Sequence, residues 1–188
     1  MGGKVVSQIK PIYIENVKYC VENGINKLLI FIKDEKTVLG IKSYLEENDI
    51  NLQLIAVTFP ANEKMYKLKD DDEVHEFVPK AADGTEIREI LNANNIQLVS
   101  GALPFEGIVI PGDNFNPYKI IEQTLDMVNM GLSNLVQTLL MATDNGVVVP
   151  KERVLVTNVK LAIDVLGTNT RFLFHPDEGM KINKILHV

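Results

Sequence analysis

Apolar side chains recur at two spacings along the chain, and these spacings predict alternating helices and strands. Residues 12–23 place apolar positions on one helical stripe and are followed by a glycine stop. Residues 28–32 and 52–57 are nearly continuous apolar runs, which is typical of strands that are buried on both faces. Asp34 is the predicted N-cap of the helix between these two strands. The predicted buried stripe of that helix is Val38, Ile41 and Leu45.

The alternation continues through the middle of the chain. The Asp and Glu spacing of residues 83–86 resembles a capping box, and the helix that it starts is followed by a third strand at residues 96–99. Residues 58–82 are less regular, with a short extra strand predicted at residues 74–78. Residues 100–116 form a long predicted loop, and loops of this length are often functional in compact domains.

Two apolar helices separated by a glycine give the clearest helical pattern in the chain. Asn116 is the predicted N-cap of the first helix, with Pro117 in its first turn, and Gly131 separates it from the second. The first helix carries the stripe Ile121, Leu125 and Val128. The second carries Leu132, Leu135, Val136, Leu139 and Leu140. A fourth buried strand is predicted at residues 154–157.

The C-terminal segment is predicted to complete the sheet. Residues 161–165 carry a short helical stripe that ends at Gly167, and residues 171–174 are predicted as a fifth strand. Residues 182–186 fit either a short helix or an edge strand. Repeated alternation of helix and strand implies crossover connections and a mainly parallel sheet with helices on its faces. We therefore predict an α/β fold with a mainly parallel five-stranded sheet, in a single domain that covers residues 1–188.

Composition and charge exclude several classes of function. The 188 residues are 46% hydrophobic and 23% charged, which is typical of a folded globular protein. A net charge of −6 without any Lys/Arg stripe disfavours a nucleic-acid partner. No apolar run reaches the roughly 20 residues that a transmembrane helix needs, so no membrane partner is expected. A single cysteine, Cys20, fits a reducing compartment, and a cytoplasmic location is predicted.

The helix pair and the strand after it carry a family resemblance. The residues that carry it are Ile121, Thr124-Leu125, Gly131, Val136, Leu140-Met141-Ala142, Asp144, Gly146 and Val154-Leu155-Val156. This pattern resembles the stand-alone relatives of the pyruvate kinase C-terminal domain over residues 119–157, and more loosely over residues 28–57. The resemblance implies a three-layer α/β/α fold with a mainly parallel sheet and one antiparallel edge strand.

The resemblance also implies classes of ligand, although it brings no catalytic residues. In pyruvate kinase the corresponding domain is regulatory, and some versions bind a sugar bisphosphate there. The stand-alone relatives are associated with a bound flavin nucleotide, so FMN is the cofactor that the resemblance implies. Two turns depart from the family pattern, because residues 33–37 and residues 157–160 both lack glycine. The first turn also carries two carboxylates, which repel a phosphate.

Polar residues that follow the strands predict a ligand site. Open α/β sheets bind ligands beyond the carboxyl ends of their strands, where the strand order reverses. The ligand-binding residues predicted on this basis are Lys33, Thr37, Thr58, Ser100, Thr157, Asn158 and Lys160. Their ammonium, hydroxyl and amide groups suit a small anionic ligand. The alternative is that Asp34 and Thr37 only cap a helix and that the lysines are solvated.

Other reactive side chains predict neither a metal site nor a catalytic centre. The histidines lack metal-ligand spacing: they are His75, His175 and His187. His175 follows a predicted strand and is close enough in sequence to reach the rim of the pocket. Cys20 has no neighbouring base and is predicted to be buried and inert. Residues 107–112 lack the Lys-Ser/Thr ending of a phosphate loop, and residues 70–73 lack EF-hand spacing.

Three hypotheses for function follow. The first is a small-molecule-binding or regulatory protein that takes a phosphorylated metabolite or a flavin nucleotide. The second is a degenerate relative that forms homo-oligomers and binds no ligand, through an apolar helix face of Met127, Met130, Leu132 and Met141. The third is an enzyme of unknown class, for which the available titratable groups are Asp34, Glu35, His175 and Asp177.

Overall fold

A computed structural model describes residues 9–68, 74–82, 85–107 and 116–187. Five α-helices lie in these ranges: α1 (Pro11–Glu22), α2 (Lys36–Glu47), α3 (Thr85–Ala93), α4 (Lys119–Val128) and α5 (Leu132–Asp144). The strands are β1 (Lys27–Phe31), β2 (Gln53–Thr58), β3 (Met65–Leu68), β4 (Val74–Phe77), β5 (Gln97–Ser100), β6 (Arg153–Thr157), β7 (Leu161–Leu166) and β8 (Lys181–His187). The acidic run 70–73, the start of the predicted capping box and the 107–112 loop beyond Gly107 lie outside the described residues.

Six strands form one sheet in the order β5-β2-β1-β6-β7-β8. The pairs β5–β2, β2–β1 and β1–β6 are parallel, whereas the pairs β6–β7 and β7–β8 are antiparallel. The prediction of an α/β fold with a mostly parallel sheet is therefore confirmed. The strand count of five is wrong, because the sheet has six strands. Only β7 runs opposite to the other strands, and it lies inside the sheet because β8 pairs with its far side. The extra strand predicted near residue 74 is β4, which pairs with β3 as a separate hairpin.

Side chains of the central strands alternate between two hydrophobic clusters, one on each face of the sheet. In β1, Leu28 and Ile30 belong to the cluster that contains residues of α1, α2 and α3, whereas Leu29 belongs to the cluster that contains α5. All three are fully buried, as predicted for a strand covered on both sides. The predicted stripe of α5 is also confirmed, because the buried residues include Leu132, Leu135, Val136, Leu139 and Leu140.

The segment predicted as a C-terminal helix is a strand. Residues 161–166 form β7 and pair antiparallel with β6 after a turn at Asn158. The spacing of Leu161, Ala162 and Val165 fits a helix, but Ile163 makes the run nearly continuous, and five of the six residues of β7 are buried. In a short apolar run, periodicity alone does not distinguish a helix from a buried strand. Hydrogen bonding to the edge of β6 makes these residues a strand.

Residues 171–174, predicted as the fifth strand, form part of a turn instead. A 3-10 helix spans Thr170–Phe172, held by the Asp144 carboxylate at the end of α5, which accepts hydrogen bonds from the Thr170 backbone N–H (3.0 Å) and hydroxyl (2.6 Å). The strand that closes the sheet is β8, so residues 182–186 form an edge strand and not a short helix.

Helix α4 is more exposed than its pattern predicts. The predicted stripe is only partly buried at Ile121 and Leu125, and Val128 is 63% exposed. No residue of α4 is buried. The helix packs against α5 at the edge of the hydrophobic cluster that contains α5, and it does not cover the sheet. The helix starts later than predicted, at Lys119 with Tyr118 as its N-cap residue. The Asn116 side chain instead accepts a hydrogen bond from the Tyr118 N–H at 3.0 Å in the turn before the helix.

A buried carboxylate joins the antiparallel half of the sheet to α1. Asp164 on β7 is almost fully buried and contacts the Arg153 guanidinium at 2.6 and 3.0 Å. The Tyr19 hydroxyl of α1 donates to it at 2.9 Å, and the Asn183 amide of β8 donates at 3.1 Å. Burial alone raises the pKa of Asp164, but these donors, with Arg153 foremost, outweigh it and lower the pKa below its usual value.

We expect Asp164→Asn to lower the free energy of unfolding at neutral pH by about 2 kcal/mol, because charge-assisted hydrogen bonds to a buried group are lost. The ionised carboxylate stabilises the fold above the ordinary pKa of an aspartate, and that contribution disappears as the pH falls through the lowered folded pKa. The free energies of unfolding of the two proteins, measured by urea titration across this pH range, should therefore become equal in acid.

Glu178→Gln is the control, because it breaks the exposed Lys151–Glu178 pair. It should lower the free energy of unfolding by less than about 1 kcal/mol. Equal losses for the two variants would contradict the interpretation.

Candidate functional site

The sheet has its topological switch point between β1 and β6. From β1 the chain moves through α2 to β2 on one side, whereas β6 and the strands after it lie on the other. Connections that leave neighbouring parallel strands in opposite directions open a crevice at the carboxyl ends of those strands. A cleft of about 570 Å³ lies at this place, within the size range of small-molecule sites, roughly 300–1,000 Å³.

Four of the seven predicted ligand-binding residues line this cleft. Lys33 and Thr37 come from the β1–α2 connection, and Asn158 and Lys160 come from the turn after β6. Both lysine side chains are exposed, and neither forms an ion pair with any residue in the described ranges. Two ammonium groups that form no ion pair within the described part of the chain therefore border the same crevice, one from each turn.

The other three predicted residues serve the structure. The Thr58 hydroxyl is fully buried and donates to the Ile32 carbonyl at 2.9 Å. The Thr157 hydroxyl is also fully buried, accepts a hydrogen bond from the Asn16 amide at 2.8 Å and lies 3.1 Å from the Leu161 carbonyl oxygen. Ser100 lies on the far edge strand, bonded to Arg88, and does not line the cleft.

Carboxylates of the chain itself occupy the two helix N-termini at the cleft. Asp34 accepts a hydrogen bond from the Lys36 N–H at 3.0 Å at the start of α2, although the N-cap residue of that helix is Glu35 and not Asp34 as predicted. Asp126 accepts from the Gly131 and Ser133 N–H groups at 3.2 and 3.1 Å at the start of α5. Helix N-termini attract anions, and here each already has one. A phosphate at either end would meet a negative charge in place of free backbone donors.

Sequence reasoning missed the aromatic side of the cleft. Tyr13 of α1 lines it and is only 2% exposed, and its hydroxyl has no hydrogen-bond partner among the described residues. Burial, with a smaller contribution from Asp34, raises the pKa of Tyr13 to about 12, so the phenol remains a neutral donor at physiological pH. Phe31 and Phe59 form an edge-to-face pair with ring centroids 4.8 Å apart and complete an apolar wall.

The remaining candidate groups do not converge on the cleft. His175 lines a different groove, so Asp34 and His175 do not share a site. Glu35 pairs with Lys80 at 2.6 Å: burial raises its pKa, but Lys80 outweighs this and lowers it. Cys20 is fully buried, as predicted, and burial, assisted by the charge of Asp164, raises its pKa to about 12.

The described residues contain neither a metal-binding cluster nor a membrane-spanning helix. No group of three or more His, Cys, Asp or Glu side chains in the described ranges is placed to hold a metal ion. In the same part of the chain, no helix combines the length and apolarity that crossing a membrane requires. The cleft is therefore characterised by its lysines, its two aspartates and its aromatic wall.

We expect Asp126→Ala to lower the free energy of unfolding by about 1 kcal/mol, since the first turn of α5 loses its acceptor. Chemical denaturation monitored by circular dichroism measures the loss. Glu122→Ala on the same helix removes an exposed ion pair with Lys119 and should cost no more than about 0.5 kcal/mol. If Asp126→Ala were as stable as the unsubstituted protein, the carboxylate would not be holding the helix start.

Comparison of the sequence with protein-family models gives no match. None of the curated proteins matches it either. The resemblance to the pyruvate kinase C-terminal domain therefore stays a prediction, and the chemistry of the cleft is inferred from its own geometry.

Proposed function

We propose that this protein binds a small molecule at the switch-point cleft, as a binding or regulatory protein related to the pyruvate kinase C-terminal domain. The observation that carries the proposal is the coincidence, at one crevice, of two lysine ammonium groups without ion-pair partners and one tyrosine hydroxyl without a hydrogen-bond partner among the described residues. A ligand with an anionic group and a hydrogen-bond acceptor would pair with the lysines and accept from Tyr13.

The shape of the cleft favours a ligand with two distinct parts. The wall of Phe31, Phe59 and Tyr13 suits a planar or apolar group, because aromatic rings pack favourably edge-to-face or offset. Lys33 and Lys160, which reach the cleft from the two turns that border it, suit an anionic group. A phosphorylated metabolite or a flavin nucleotide such as FMN carries both parts.

The anionic group would be held by side chains and not by helix ends. Asp34 and Asp126 already accept the hydrogen bonds of the helix N-termini, so an approaching phosphate would be directed toward the lysines. Since lysine is a flexible point charge and not a planar fork, this arrangement selects charge more than geometry.

The proposal predicts that a phosphate increases affinity. We expect FMN and glucose 6-phosphate to raise the melting temperature more than riboflavin and glucose do. The double variant Lys33→Met/Lys160→Met should weaken binding of the phosphorylated compounds by about tenfold or more, because two charge-assisted contacts are lost. Calorimetric titration measures the affinities.

Lys18→Met is the matched control, because Lys18 is an exposed lysine on α1 that does not line the cleft. It should leave the affinities unchanged. No stabilisation by either phosphorylated compound at millimolar concentration would refute ligand binding of this class, and equal loss in the control would refute the assigned location.

A second function, that of an oligomerising interaction protein, is favoured by one observation. Ile120, Met127, Val128 and Met130 are between 63% and 81% exposed along α4 and just beyond it. A contiguous exposed apolar surface often marks a protein–protein contact. Of the face predicted from sequence, Met127 and Met130 are accessible, whereas Leu132 and Met141 are buried in the core.

If α4 mediates self-association, sedimentation velocity should show a concentration-dependent oligomer that Met127→Lys shifts to the monomer, because a charge cannot be buried in an apolar contact. The matched control is Val21→Lys, which places the same charge at an exposed apolar position of α1. A monomer at all concentrations would exclude this function, and an oligomer disrupted by both variants would place the contact elsewhere.

A further inference from the structure

A second cavity lies apart from the switch-point cleft. It has a volume of about 540 Å³ and shares no lining residue with the cleft. Phe105, Ile121 and Leu173 connect it to the hydrophobic cluster of α5, and the 3-10 helix after β7 forms its outer wall. We call it the C-terminal groove.

The outer wall of the C-terminal groove is tightly built. The Thr168 hydroxyl donates to the Glu178 carbonyl at 2.7 Å, and the Gly179 N–H donates to the His175 carbonyl at 2.8 Å. A Cβ at Gly179 would lie 2.3 Å from the His175 carbonyl oxygen, so only glycine fits this close approach. These contacts fix the path of the loop backbone beside the groove.

Two hydrogen-bond donors face this groove from the same loop. The Arg171 guanidinium has no ion-pair or hydrogen-bond partner among the described residues. The His175 Nδ1 accepts from the Asp177 and Glu178 N–H groups at 3.2 and 3.1 Å, so the neutral ring carries its proton on Nε2 and that nitrogen is a donor. Both groups suit a carboxylate.

The rest of the groove is apolar and aromatic. Phe174 is 75% exposed and Phe172 is 45% exposed, and the Phe172 ring lies edge-to-face with His175 at 6.0 Å. Tyr118 contributes a further exposed ring from just before α4. A loop that presents large apolar rings beside a cation without an ion-pair partner among the described residues matches the chemistry of an amphiphile with one negative end.

We propose that the C-terminal groove is a binding site for a small amphiphilic monocarboxylate. The carboxylate pairs with Arg171 and accepts from His175, while the aliphatic or aromatic part packs on Phe172, Phe174 and Ile121. This site is independent of the switch-point cleft, because no residue is common to the two. A volume of 540 Å³ is within the range of small-molecule sites.

The test is a titration of the 188-residue protein with octanoate and with 1-octanol, the neutral compound of the same chain length, followed by amide NMR shifts. We expect saturable shifts centred on residues 118–121 and 170–175, with octanoate binding about tenfold or more tightly than octanol because a charge-assisted contact is added. Arg171→Met should reduce octanoate affinity to that of octanol. Phe174→Ser should weaken both.

Lys18→Met removes the same charge from the opposite face of the sheet and should change neither affinity. Equal affinity for octanoate and octanol, unchanged octanoate binding in Arg171→Met, or the absence of saturable shifts would each overturn the proposal. It would also be overturned by concentration-dependent line broadening that Phe174→Ser abolishes, because that result would show a second copy of the chain occupying the groove. The amide spectrum of each variant reports directly whether the fold is retained.

Discussion

The structure depends on the burial of β1 on both of its faces. Leu28, Leu29 and Ile30 are fully buried, and the strand pairs in parallel with β2 on one side and β6 on the other. A strand at this position has no solvated edge or face. Its consecutive apolar side chains are all buried only at the centre of a sheet that has helices on both faces. Because the chain leaves β1 and β6 in opposite directions, the same constraint creates the crevice at their carboxyl ends.

Side chains replace glycine in the two turns that border this crevice. In the β1–α2 turn the Asp34 carboxylate accepts the hydrogen bond of the first helical turn. After β6, the Asn158 side-chain oxygen accepts from the Lys160 and Leu161 N–H groups at 2.9 and 3.0 Å. These contacts use the backbone donors that a glycine-rich turn would offer to a phosphate. The turns therefore hold their shape without a ligand, and lysine side chains are left as the anion-binding groups.

The elements that sequence predicted well are those with one dominant burial pattern. The stripe of α5 and the run of β1 specify their structure because every alternative register would expose several large apolar side chains. The same logic fails for residues 161–166, where six residues fit two periodicities and only the neighbouring edge of β6 decides. It also fails for α4, whose amphipathic pattern is real but whose apolar side chains stay largely exposed.

The candidate site was predictable to the extent that topology determines it. The ends of the strands can be predicted from the sequence, and Lys33 and Lys160 follow two of them. Both residues line the cleft, as predicted. Thr58 follows the same rule, yet its hydroxyl points into the protein and bonds to Ile32, because the orientation of a strand-end side chain depends on the pleat. Tyr13 is brought to the cleft by the packing of α1 across the sheet, a long-range contact that no local pattern encodes.

The exposed apolar surface is distributed unevenly, and this distribution bears on which surfaces interact. At one edge of the sheet, β8 carries exposed Lys181 and Lys184, and lysines on an edge strand discourage pairing with another chain. The opposite edge strand, β5, has only four residues, too short a template for strong strand addition. Large apolar side chains are instead exposed on α4 and on the loop after β7. Both edges of the six-stranded sheet disfavour strand pairing, whereas the apolar side chains of α4 and of the loop after β7 are exposed. Intermolecular contacts of the described part of the chain should therefore involve packing of these side chains and not extension of the sheet.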